Sequence, residues 1–110
     1  MIKVVNYHTY TPEPDHFKIY IGRVTSFNRV AEKWNNTNNF SALGNPFSGD
    51  EAIEKYKKHF IKEVAIQGQF RNKIAILYTM VKEDKEVCLI CFCKPKPCHG
   101  DIIKEFIESY

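Results

Sequence analysis

Cys98, His99 and Asp101 fall in one tetrapeptide, Cys98-His99-Gly100-Asp101, and all three are side chains that carry protons or attack electrophiles. The tetrapeptide opens an amphipathic stretch in which Ile102, Ile103, Phe106, Ile107 and Tyr110 recur at helical spacing. A thiol at a helix N-terminus is biased towards thiolate by free backbone N–H groups and the positive end of the dipole. There Cys98 is a candidate nucleophile, His99 a candidate proton carrier and Asp101 its orienter. Sequence neighbours seldom pair directly, so adjacency alone does not establish a Cys98–His99 couple. Asp101 equally suits a first-turn carboxylate that complements the dipole.

Two other chemistries compete for these residues. Cys91, Cys93, Cys98 and His99 offer zinc ligand types within nine residues, without the two-residue gap between thiolates of the common knuckle. The plain alternative makes Cys88, Cys91 and Cys93 small buried core residues. The third chemistry is anion binding, since N–H groups at the helix start, opened by Gly100, can hold a phosphate. A second helix start follows the tight turn Leu43-Gly44-Asn45-Pro46-Phe47, where Gly44 permits positive φ and Pro46 pushes Asn45 out of helical geometry. Meeting at one sheet edge, the two ends would form a crevice for a nucleotide or a nucleic-acid phosphate. Asn45 would read a base or ribose there, with His99 and Asp101 as acid or base. No Walker loop or dinucleotide glycine pattern is present. If both motifs are structural instead, Asn45 holds a turn and His99 bonds backbone.

The run Cys91-Phe92-Cys93-Lys94-Pro95-Lys96-Pro97-Cys98-His99-Gly100-Asp101 resembles a signature of the uncharacterised family DUF4326, found in phages and bacteria: Cys-Trp-Cys, a proline-containing turn, then Cys-His-Gly-Asp. Leu43-Gly44-Asn45-Pro46-Phe47 resembles its second signature, followed by a similar helix from Glu51. Phe92 stands in place of the tryptophan, and about twenty residues separate Gly22-Arg23 from Leu43, a longer link than the family's. From Gly22 onward the resemblance spans most of the chain. It implies a compact α/β domain with an unassigned activity.

The elements that must position these residues are legible in outline. Val87 to Cys93 is an apolar run read as a buried strand. Alternation turns Val87, Leu89, Cys91 and Cys93 to one side and Cys88, Ile90 and Phe92 to the other. Pro95 and Pro97 end any ladder. Ile2 to Tyr7 and Phe17 to Ile21 read as two earlier strands. Their short link places them side by side in one sheet, with Arg23 projecting at the second one's end, where α/β sheets meet ligands. Phe27, Val30, Ala31 and Trp34 predict a helix over about 28–34, and the run Asn35 to Asn39 breaks it into an irregular loop or lid. Ser48-Gly49-Asp50 predicts a cap for a helix from Glu51 to Ala65. That helix has an apolar face of Ile53, Tyr56, Phe60 and Val64. Lys55, Lys57, Lys58 and Lys62 form a basic face, solvated or rimming a phosphate site. A third helix spans Phe70 to Lys82, on Phe70, Ile74, Leu77, Tyr78 and Val81.

The chain has 110 residues, enough for one domain over 1–110 with one core. Net charge is +3, too weak a basic bias to argue nucleic acid by itself. No apolar run reaches the ~18 residues of a membrane span. Met1 to Tyr7 turns polar too early for a signal peptide, so the expected place is the cytoplasm, that of the host for a phage-encoded chain, with reduced thiols. Helix, strand, helix over the last forty or so residues predicts an α/β layered sandwich, a mostly parallel sheet of about four strands flanked by helices. The functional expectation is a nucleotide- or nucleic-acid-directed domain, hydrolytic or glycosyl-transferring, without a cofactor. Its site combines Cys98, His99 and Asp101 with Arg23, Gly44, Asn45 and Gly100. The alternatives are a phage-type protein that binds and inhibits a host protein, with both motifs structural, and a small zinc-binding domain.

Overall fold

Four parallel strands in the order β1-β4-β2-β3 carry the molecule: Ile2–Asn6 (β1), His16–Tyr20 (β2), Asn38–Asn39 (β3) and Glu86–Cys91 (β4). The computed structural model describes residues 1–92 and 97–109, so Cys93 lies outside the described residues. β4 is central because it is the most apolar strand, buried from Val87 through Cys91, and a strand covered on both faces belongs inside a sheet. It pairs with β1 from Ile2↔Val87 to Asn6↔Cys91 and with β2 from His16↔Glu86 to Tyr20↔Ile90. The first two strands therefore share a sheet but are not neighbours, which corrects the expected adjacency. The connection from Tyr7 to Asp15 returns past the edge that β4 later fills, and the length of that link carries no signal of an inserted strand.

Four helices cover the two faces unequally. Phe27–Lys33 (α1) lies on one; Ala52–Ala65 (α2), Gln69–Lys82 (α3) and His99–Glu108 (α4) lie on the other. Alternation in β4 holds: Val87, Leu89 and Cys91 join the core of α2, α3 and α4, whereas Ile90 packs with Tyr7, Tyr20 and Val30. The stripes read from the sequence are those buried: Tyr56 and Phe60 in α2, Phe70, Ile74 and Leu77 in α3, Ile103 and Ile107 in α4. No helix among the described residues is long and apolar enough to cross a membrane. The radius of gyration, 13.1 Å, is that of one folded domain of this length, about 13 Å.

Three local expectations change. A 3-10 turn at Val24–Ser26 leads into α1, and the segment after α1 is ordered into a two-residue edge strand, β3, and a second 3-10 turn at Ser41–Leu43. Asn36 takes positive φ (60°) in the turn between α1 and β3. α2 starts at Ala52 from Glu51 with no side-chain cap, so Ser48-Gly49-Asp50 acts as a turn. Gly44 has φ −63°; a Cβ there would lie 2.9 Å from both the Gly22 and Ser41 carbonyl oxygens, so close approach explains this glycine. Positive φ belongs to Gly49, at 88°.

Candidate functional site

Because every strand is parallel, their C-terminal ends share one edge, and the loops leaving β2, β3 and β4 meet there despite their separation in sequence. Backbone bonds extend the ladder beyond the strands: Tyr7 N–H to the Cys91 carbonyl at 2.8 Å, Ile21 N–H to Ile90 at 3.2 Å, Phe40 N–H to Tyr20 at 2.8 Å. At this edge a cavity of about 420 Å³ is lined by Arg23 and Ser26 after β2, Asn45 and Phe47 after β3, and Phe92 and His99 after β4.

Each wall is fixed by a buried tyrosine or an amide. The Tyr20 hydroxyl donates to the Arg23 carbonyl at 2.7 Å, and its burial raises its pKa. Arg23 itself is exposed. The Tyr56 hydroxyl donates to the Leu43 carbonyl at 2.7 Å, pinning the start of the second motif to α2, and burial pushes this phenol's pKa up as well. Asn45 Oδ1 accepts from the Phe47 N–H at 3.0 Å, and its Nδ2 donates to the Ala52 carbonyl at 3.4 Å. That side chain closes the turn into α2.

His99 is the most constrained member. It is buried, and its Nε2 lies 2.7 Å from the Ile21 carbonyl, which can only accept, so Nε2 carries the proton. Nδ1 then faces Cys98 Sγ at 3.7 Å, so Cys98 and His99 are brought together after all. The Tyr56 ring meets the imidazole edge-on at 5.1 Å, which links the two motifs. Burial lowers the His99 pKa; the Ile21 carbonyl and the Asp101 charge oppose the shift without reversing it.

Behind His99, Cys98 caps α4. Its Sγ accepts from the Gly100 N–H at 3.4 Å, while the Asp101 carboxylate accepts from the Cys98 N–H at 3.2 Å. Asp101 is thus a first-turn carboxylate, and its contact with His99 is electrostatic. Gly100 lets α4 approach the sheet: a Cβ there would fall 2.9 Å from both Val4 Cγ1 and Ile21 Cδ1. Cys98, Asp101, Gly44 and Gly100 do not line the cavity; they hold the residues that do. Of the four expected zinc ligands, Cys93 is not described, Cys91 and Cys98 are buried, and both His99 nitrogens are engaged. Lys55, Lys57, Lys58 and Lys62 are exposed along α2 and none lines the cavity.

Sequence reasoning missed Ser26, Phe47 and Phe92 as wall residues and Tyr20 and Tyr56 as braces. The signal available for Phe92 was its place at the end of the central strand; for the tyrosines there was none beyond helical or strand period.

Over 61 residues the chain is 38% identical to the "Uncharacterized 12.4 kDa protein in nrdA-td intergenic region" of Enterobacteria phage T4, a match taking in 56% of this chain and 50% of that protein. The match thus spans about half the length of that relative. No solved structure matches. A family described as Domain of unknown function (DUF4326) matches residues 5–109, and the chain belongs to that family.

Proposed function

We propose that the cavity binds a nucleotide, free or as part of a nucleic acid, and that the protein is a nucleotide-directed domain acting in the cytoplasm. The observation that carries this reading is the convergence of Arg23, Ser26, Asn45 and His99 on one cavity at the C-terminal edge of a parallel sheet. Its volume, about 420 Å³, lies within the ~300–1,000 Å³ usual for small-molecule sites. Arg23 is the one cation among the described lining residues. Its guanidinium suits a phosphate, which it can hold in a two-pronged hydrogen bond.

The geometry supports binding more directly than cleavage. With Nε2 held by Ile21 and Nδ1 turned to Cys98, His99 acts as acid or base only after giving up its backbone bond. Hydrolysis or glycosyl transfer here therefore requires a shift of the turn at Ile21 when ligand enters.

Thermal shift against nucleoside phosphates, sugar phosphates and short single-stranded oligonucleotides tests the reading. A ligand selective for the native state raises the melting temperature, and Arg23→Gln should abolish the rise without lowering the unliganded value, since Arg23 is exposed. No shift from any compound would discard the reading and leave the host-protein inhibitor, with both motifs structural.

A further inference from the structure

Phe92 offers a ligand an aromatic face and no hydrogen bond. It lines the cavity, half-buried, directly after the central strand. Its ring is held from several sides. Tyr7 lies against it at 4.9 Å and 36°, Tyr20 meets it edge-on at 6.4 Å, and His8 edge-on at 5.7 Å. The Arg29 guanidinium sits 5.7 Å from its centre and 5.1 Å from that of Tyr7. A ring clamped in this way loses little further freedom when a ligand stacks on it, which is the condition for an efficient stacking wall. Phe47, set edge-on against His59 at 5.7 Å, gives the cavity a second aromatic ring. Two rings and one cation around a single cavity match a ligand with one flat apolar end and one anionic end.

We infer that Phe92 is the base-stacking wall of the cavity and that the ligand is a single nucleoside phosphate, its base against Phe92 and its phosphate at Arg23. This rests on the nucleotide reading above and deepens it. The cavity holds one such unit; recognition then depends on the π face of the base, which every base has, together with the phosphate charge. Discrimination among bases falls to polar groups at the rim, of which Ser26 and the second proton of the Asn45 amide are the candidates.

Isothermal titration of wild type, Phe92→Leu and Phe92→Trp with nucleoside monophosphates, ribose 5-phosphate, inorganic phosphate and a single-stranded hexanucleotide decides the matter. Monophosphates should bind at least about tenfold tighter than ribose 5-phosphate, and Phe92→Leu should weaken them roughly five- to a hundred-fold while leaving ribose 5-phosphate unchanged. Phe92→Trp, with the larger ring, should bind monophosphates as wild type or tighter. Equal affinity for nucleotide and sugar phosphate, or an equal loss of both in Phe92→Leu, overturns the stacking wall but keeps the phosphate site. Binding of the hexanucleotide without the monophosphates overturns the single-nucleotide ligand. Failure of every compound to bind overturns the nucleotide reading itself.

Discussion

The two faces of the sheet are filled by different means. Three helices close one of them with mainly aliphatic and phenyl side chains, the Tyr56 phenol among them, and Leu77, Leu89 and Ile103 there are fully buried. On the other, a seven-residue helix contributes Val30 alone to the buried set; Tyr7, Tyr20 and Ile90 join it, and most of the half-buried residues around them, Tyr10, Phe27, Trp34 and Phe92, are aromatic. Two cations complete that cover, with Lys33 Nζ 4.2 Å from the Tyr7 ring centre and Arg29 spanning Tyr7 and Phe92. The dry face holds the fold together. The aromatic face reaches the C-terminal edge only partly covered, and there Phe92 meets the cavity. Alternate residues of one strand, β4, thus feed two different packings, and both reach the cavity: Cys91 from the helix-covered side and Phe92, just past the strand, from the aromatic one.

The largest expected effect tests that division. Leu89→Ala removes a fully buried side chain from the centre of the dry face and should cost about 2–5 kcal/mol in urea unfolding followed by circular dichroism. Val30→Ala, also fully buried but on the aromatic face, should cost roughly 1.5 kcal/mol. Equal losses at the two positions would erase the asymmetry.

A smaller effect should appear where the dry face holds the cavity. Tyr56→Phe removes the hydroxyl that donates to the Leu43 carbonyl and leaves that buried oxygen without this donor, for about 1–2 kcal/mol. Because Leu43 heads the segment that carries Asn45 and Phe47 into the wall, the same variant should also weaken ligand binding. Arg29→Gln, on the aromatic face, should change the melting temperature little. A Tyr56→Phe protein with wild-type stability would mean that the second motif is held by its own turn.

How far these relations could be read from the chain depends on the range over which they act. The helices α2, α3 and α4 and the strand β4 were legible because their apolar periods are local and their buried residues are the ones the periods select. The strand order was not, since β4 enters between β1 and β2 from the far end of the chain. β3 was hidden because two asparagines have poor strand propensity and pair only where Ile19 and Tyr20 offer them an edge. Gly44 was singled out for the wrong reason: of the two carbonyls that exclude its side chain, one belongs to Ser41 in its own turn and the other to Gly22, a tertiary neighbour. Arg23, Asn45 and His99 could be nominated from residue type, and a parallel sheet was the element needed to bring them together. The commitments of His99 to Ile21 and of Tyr56 to Leu43 exist only in the folded chain.

The smallest effect at neutral pH concerns His99, and it grows on acidification. Burial lowers its pKa in the folded protein below the ordinary value of about 6.5, whereas the unfolded chain keeps that value. Above about 6.5 the imidazole is neutral in both states and contributes nothing to the pH dependence. Below it the unfolded chain takes up a proton that the folded protein resists, so stability falls as pH drops from there to the folded pKa. Asp101, Cys98 and Tyr56 are the titratable groups around the ring; of these, Asp101 favours the charged imidazole and softens the fall. His99→Gln keeps a donor for the Ile21 carbonyl but cannot take up the proton. Its melting temperature should match wild type near pH 7.5 within a few degrees and fall less steeply below about 6.5. Parallel curves for the two proteins would show that the histidine is protonated as readily in the folded protein as in the unfolded chain. The dry face would then not extend to the cavity wall, and the division between the two faces would end short of the site.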